Sequence, residues 1–333
     1  MDECKPILNT GLRGVTIAST KISDVRGEEG KLIYRGYLVQ DLAESASFEE
    51  VTHLLLHERL PTTAELAELK AQLATDMPIP EGVIKAMQTF PQNALPMDVM
   101  QAAAAILAQY DPEIRDQSHA ATERMGMRLI AKLTTVLAAW ERIRNGKAPV
   151  KPDPDLGQGA NFLYMLTGER PSDEVARFFD ICLVLHAEHS FNASTFAARE
   201  VASTRAHIYA AVSAAIGSLS GELHGGATVR VMEMLLAIGD PSRAEAFVNE
   251  VLDEGRKIMG LGHAVYKTDD PRAHILRPMS RRMGELAGET KWYEISKILE
   301  EKGKAAFKER KGTDIYVNVD FYSASLYYAM GIP

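Results

Sequence analysis

The sequence predicts an all-α fold with a small β element near its start, and three features carry that prediction. Apolar residues recur at helical spacing through most of the 333 residues. Ser47 with Glu50, and Thr62 with Glu65, form helix-start signatures ahead of apolar runs. No strand-helix-strand alternation breaks the pattern.

Taken in order, residues 15–22 and 31–36 read as β-rich segments separated by the loop DVRGEEG. The capped runs SFEEVTHLLLHERL and TTAELAELKAQL then read as successive helices. Helical texture continues through MDVMQAAAAILAQY, ERMGMRLIAKLTTVLAAWERI and the segment opening SDEVARFFDICLVL. RNGKAPVKPDPDLGQG, with its prolines and glycines, reads as an exposed connection. The small residues of AHIYAAVSAAIGSLSGELHGGA suit close helix approach. No internal repeat or low-complexity tract is present.

A hydrophobic content of 46% provides a substantial core for one large domain or two unequal ones. The formal net charge of -8 argues against a general nucleic-acid binder, although Arg277, Arg281 and Arg282 form a local basic patch. Cys4 and Cys182 suggest neither a disulfide framework nor a zinc site. With no apolar leader in MDECKPILNT and no stretch of about 20 apolar residues, the expected location is cytoplasmic, away from membranes.

The segment GLGHAVYKTDDPR, residues 260–272, concentrates groups that bear chemistry. Its glycines suggest a phosphate loop. The spacing refuses one, because Val265 stands where a third glycine belongs and the chain has no GK[ST].

Four of the nine histidines lie in polar or glycine-rich surroundings: His186 and His189 in HAEHSFNAST, His224 in GELHGGA, and His263. A spacing of three predicts His186 and His189 on one helix face. Metal ligation is one reading of that pair, but no HExxH or third ligand supports it. His224 and His263 adjoin glycines that let a ring and backbone donors approach a ligand. His53, His57, His119, His207 and His274 are read as structural.

Asp320 sits among Val319, Phe321 and Tyr322, surroundings that raise a carboxylate's proton affinity. It reads equally as the cap of a helix starting at Phe321. Two carbonyl-directed histidines and one desolvated carboxylate suit proton abstraction beside a carbonyl, followed by carbon-carbon bond formation. Arg272 would bind an anionic substrate.

HAEHSFNASTFAAR, GELHGGA, IMGLGHAVYKTDDPRA and NVDFYSA, in that order, together with EEGKLIYRGY, closely resemble the citrate synthase family. The resemblance implies a two-domain helical homodimer that condenses acetyl-CoA with oxaloacetate and hydrolyses the thioester. It implies that His224 bonds the thioester oxygen, Asp320 removes a methyl proton and His263 polarises the ketone. His189 and Arg272 would hold the oxaloacetate carboxylates, and Lys257, Ile258, Met259, Gly260 and Leu261 would lie against CoA. It further implies a large domain over residues 1–225 and a small one over 226–333 that closes over the site, with Gly225 and Gly226 near the hinge. Those glycines read equally as helix terminators. No metal or redox cofactor is expected, CoA thioester being a substrate.

Departures from the family pattern are Leu95 for a usual His-Pro, Ser190 for an acid, Val317 for proline and Ala324 for glycine. The family pattern also carries two more substrate arginines beyond the position of MGIP, so residues 1–333 alone are expected to turn over weakly. The alternatives are 2-methylcitrate synthase, using propionyl-CoA through the same residues, and a non-catalytic homologue that binds oxaloacetate or CoA.

Overall fold

A computed structural model describes residues 18–221, 224–263 and 265–333. Among them an antiparallel sheet of order β1-β2-β3 is built from Ser23–Arg26, Lys31–Tyr34 and Tyr37–Leu38. Along β2 burial alternates, with Leu32 and Tyr34 inward and Lys31 outward, as a half-buried strand requires. The first strand therefore begins at Ser23 and runs on into the segment read as a loop, as far as Arg26. Residues 18–22 form no strand, and residues 15–17 and Cys4 lie outside the described residues. The reason is pairing: the ladder with β2 runs from Ser23 to Arg26, and Ile22 adds only a single bond, its carbonyl accepting from Arg35 N–H at 2.8 Å.

Helices follow as α1 (Val39–Ser45), α2 (Phe48–His57), α3 (Thr63–Asp76), α4 (Glu81–Met87), α5 (Pro96–Leu107), α6 (His119–Arg144), α7 (Gln158–Thr167) and α8 (Asp173–His186). Both expected capping boxes are present, Ser47 with Glu50 on α2 and Thr62 with Glu65 on α3. Each cap is worth about 1 kcal/mol. Residues 145–157 make the open connection read from their prolines and glycines.

The second half continues with α9 (Ala193–Ser203), α10 (Ile208–Leu219), α11 (Ala227–Ile238), α12 (Ala244–Asp253), α13 (Pro271–Ala287), α14 (Lys291–Lys311) and α15 (Asp320–Ala329). The small-residue helix α10 packs against α9 and α5. Helices α11 to α15 pack on one another, and α13 also leans on α1 and α8. One core joins β2, α1, α2, α7 and α8 to α11–α15, and a second fills the space between α4, α5, α6 and α10.

Two further expectations change. Helix α15 starts at Asp320 itself, whose side chain caps nothing; its backbone N–H instead donates to Asn318 Oδ1 at 3.0 Å. The arginine patch is neutralised, Arg277 by Glu300, Arg281 by Glu285 and Arg282 by Glu174.

The second core is tied by Asp111, which is 7% exposed. Its carboxylate accepts from Arg128 Nε at 2.7 Å and Tyr209 Oη at 2.6 Å, joining α6 to α10. Asp111→Ala leaves the buried Tyr209 hydroxyl without its acceptor while Arg128 keeps Glu113 at 2.8 Å, so it should cost about 2 kcal/mol of unfolding free energy. Urea titration checks this. A cost below about 1 kcal/mol, the scale of an exposed pair, would mean that the knot does not hold the core.

Candidate active site

Two loops meet across an isolated β-bridge between Leu261 and Val317. Gly262 N–H donates to Tyr316 O at 2.7 Å, and Asn318 N–H donates to Gly260 O at 3.0 Å. Gly260 permits this approach: it has φ +82°, and a Cβ there would stand 2.6 Å from Phe321 Cδ2. The Asn318 side chain completes the junction by donating to Gly262 O at 3.3 Å while accepting from Asp320 N–H. Thus the segment bearing His263 is fastened to the one that opens α15 with Asp320.

His263 Nδ1 accepts from the backbone N–H groups of Val265 and Tyr266, both at 2.9 Å, so the ring proton resides on Nε2. That nitrogen is 3.5 Å from Asp270 Oδ2. Asp270 is fully buried, caps α13 and takes Arg272 Nε at 2.9 Å and Nη2 at 2.7 Å. Burial alone would raise its carboxyl; the His263 and Arg272 hydrogen bonds overcome that and hold it well below the usual range. Arg272 is buried too, with Nη1 as the nitrogen outside this pair, 3.5 Å from Leu185 O.

His186 ends α8, so His186 and His189 do not share a helix face; His189 lies in the following loop. His186 Nδ1 donates instead to Cys182 O at 2.8 Å. The loop is braced by the sheet: Tyr34 Oη accepts from Glu188 N–H and donates to Leu185 O, each at 3.3 Å, and Ser23 donates to Glu188 at 2.8 Å. Ser190, next to His189, is held at φ +61°, an uncommon conformation for a side-chain-bearing residue. His189 stands 6.1 Å from His263, ring centre to ring centre, and its buried Nε2 has no hydrogen-bond partner among the described residues. Burial and then Arg272 push its imidazole down to about 4.

His224 lies just ahead of α11. Its Nε2 accepts from Ser194 N–H at 3.2 Å, in the first turn of α9, and Ser194 Oγ is 2.9 Å away. The ring proton is thereby assigned to Nδ1, and burial lowers the imidazole's proton affinity. Gly226 stands at the start of α11 and terminates no helix, since α10 already ends at Leu219, and Thr228 two residues on donates its hydroxyl to Asp320 Oδ1. Asp320 is therefore linked to the His224 segment through Thr228 and to the His263 segment through Asn318.

Beside His263 opens a cavity of about 440 Å³, lined in part by Lys257, Ile258, Leu261, Phe307 and Ile315. Met259 and Gly260 do not line it: Met259 packs on the core and Gly260 faces Phe321. Among the described residues no cluster of three His, Cys, Asp or Glu side chains could hold a metal, and no helix is long and apolar enough to cross a membrane. The sequence reading missed Asp270, Ser194, Thr228 and Asn318. Only Asp270 carried a signal, since an Asp before Pro is a helix-start signature.

His189 is neutral when folded, whereas in the unfolded chain it titrates near 6.5. Between those values the unfolded chain binds more protons, so stability should fall as pH drops from 6.5 to about 4. His189→Gln should flatten that slope in denaturant titrations across the window, and an unchanged slope would exclude His189 as its source. The Asp270 contribution is lost at lower pH, as that carboxylate protonates. Gly260→Ala, which places a methyl against Phe321 at a positive φ, should cost on the order of 3 kcal/mol in the same assay; a loss under about 0.5 kcal/mol would show that the bridge tolerates the side chain.

The family model described as citrate synthase, C-terminal domain, matches residues 11–333. The chain is 44% identical over 332 residues to the citrate synthase of Haloferax volcanii, covering 98% of this chain and 86% of that one. It is 40% identical over 327 residues to the 2-methylcitrate synthase of Mycobacterium tuberculosis, covering 98% and 81%. The solved citrate synthase of Thermoplasma acidophilum, a ternary complex with carboxymethyl coenzyme A and oxaloacetate, superposes with a TM-score of 0.89 at 30% identity, over 96% of this chain and 84% of that one. By motif order, fold and likeness along nearly its whole length, the chain belongs to the citrate synthase family.

Proposed function

We propose that the chain condenses acetyl-CoA with oxaloacetate and hydrolyses the resulting thioester to citrate and CoA. The observation that carries this reading is the double link of Asp320, through Thr228 to the His224 segment and through Asn318 to the His263 segment. A base tied to the two segments that carry these imidazoles suits a reaction that takes a proton beside one carbonyl and attacks another. The thioester α-proton is weakly acidic, so the base needs a partner that stabilises the developing oxyanion.

In this reading Asp320 takes a methyl proton from acetyl-CoA while His224 Nδ1–H donates to the thioester oxygen. Acceptance at Nε2 from Ser194 supports that tautomer. The enol carbon then attacks the oxaloacetate ketone, whose oxygen takes the His263 Nε2 proton as the new bond forms, that N–H exchanging its 3.5 Å contact with Asp270 Oδ2 for the substrate. Water finally cleaves the thioester. His189 and Arg272 hold substrate carboxylates, and the cavity beside Lys257, Ile258 and Leu261 takes part of CoA. Closure of residues 226–333 over residues 1–225 would exclude water until condensation is complete. A homodimer in the cytoplasm belongs to the same reading.

The bound ligands of the Thermoplasma relative support the substrate pair, and the Mycobacterium relative favours testing propionyl-CoA beside acetyl-CoA. One methylene discriminates by only about 1–3 kcal/mol. Thiol release should depend on oxaloacetate and show the higher kcat/KM with acetyl-CoA; a preference for propionyl-CoA would reassign the acyl substrate. Asp320→Asn should lower kcat roughly 10²–10⁴-fold, and His224→Ala about 10²–10³-fold, with oxaloacetate binding nearly intact. Near-parental turnover in Asp320→Asn would remove it as the base.

A further inference from the structure

Two of the buried side-chain atoms that lack a hydrogen-bond partner among the described residues come from one wall of the site: His189 Nε2 and Tyr266 Oη. Tyr266 is 2% exposed. Its ring lies edge-on to His189 at 5.7 Å and against His263 at 4.6 Å, centre to centre. The other polar groups around it are already engaged. Asp270 is taken by Arg272 and His263, and the Tyr34 hydroxyl bonds Leu185 and Glu188.

A hydroxyl buried without a partner is destabilising, and packing alone would be served as well by phenylalanine. Burial and then the Asp270 charge push the phenol well above its ordinary value, so it remains a proton donor at neutral pH. The charges of Asp270 and Arg272 both act on it. A donor beside the unpartnered His189 Nε2 and the Arg272 guanidinium suits an anionic oxygen that approaches all three.

We propose that Tyr266 is a further substrate-binding residue, its O–H donating to a carboxylate oxygen of the bound 2-oxo dicarboxylate on the wall formed by His189 and Arg272. This rests on the condensation reading and adds a donor to it. The bond would be one made to a charged acceptor, the stronger kind.

Tyr266→Phe removes the hydroxyl and keeps the ring. Calorimetric titration with oxaloacetate should show Kd raised about tenfold, with KM for acetyl-CoA within about twofold of the parent's. The unliganded melting temperature should be unchanged or higher, because no hydroxyl is left unpaired, while the upward shift caused by oxaloacetate should shrink. Parental oxaloacetate affinity in Tyr266→Phe, with an active parent, overturns this inference alone. Joint loss of unliganded stability and of both substrate affinities would make Tyr266 a packing residue and also overturn it. A parent that neither binds oxaloacetate nor releases thiol brings down the condensation reading, and this inference with it.

Discussion

Asp270 has no exposed surface, and its two oxygens are the point on which the site depends. One carboxylate starts α13, fixes the Arg272 guanidinium and faces the protonated nitrogen of His263. Removing a charge from water costs several kcal/mol unless partners replace the lost solvation. Here the partners are the groups the site needs held still, so solvating Asp270 and orienting His263 are the same set of contacts. Arg272, in turn, cannot reorient freely, and any ligand it binds must approach its outer nitrogen.

The fold brings this centre to its surroundings with very little regular structure. A one-residue bridge joins the loop before His263 to the loop before Asp320, and side chains of Asn318 and Thr228 extend the connection to the start of α11. Helices supply the fixed ends: α8 ends just before the His189 loop, α9 offers the Ser194 N–H to His224, and α15 begins with Asp320. Loops carry the candidate site residues and helix termini hold them in place.

Much of this was legible in the sequence. The capping boxes of α2 and α3 are local signals, since each uses residues three apart, and the helical class follows from periodicity. The four histidines and Asp320 stood out through their glycine-rich or apolar neighbours. What failed depends on contacts between distant residues. The first strand is defined by its partner, and the end of α8 at His186 separates two histidines that spacing alone would stack. Ser194 meets His224 across 30 positions, and Thr228 meets Asp320 across 92, distances at which neither sequence neighbourhood contains a hint of the other.

The small sheet bears on both histidine loops at once. Ser23 and Tyr34 are opposite one another and brace the segment leading to His189, while Gly27, in the turn between their strands, accepts from Lys267 N–H at 3.0 Å, close behind His263. Because side chains alternate faces along a strand, inserting or deleting a single residue in this ribbon would turn Ser23 or Tyr34 away from its partner. The hairpin of β1 and β2 thus acts as a length standard for the candidate active site, tolerant of exchanges on its outer face and intolerant of any change in its count of residues.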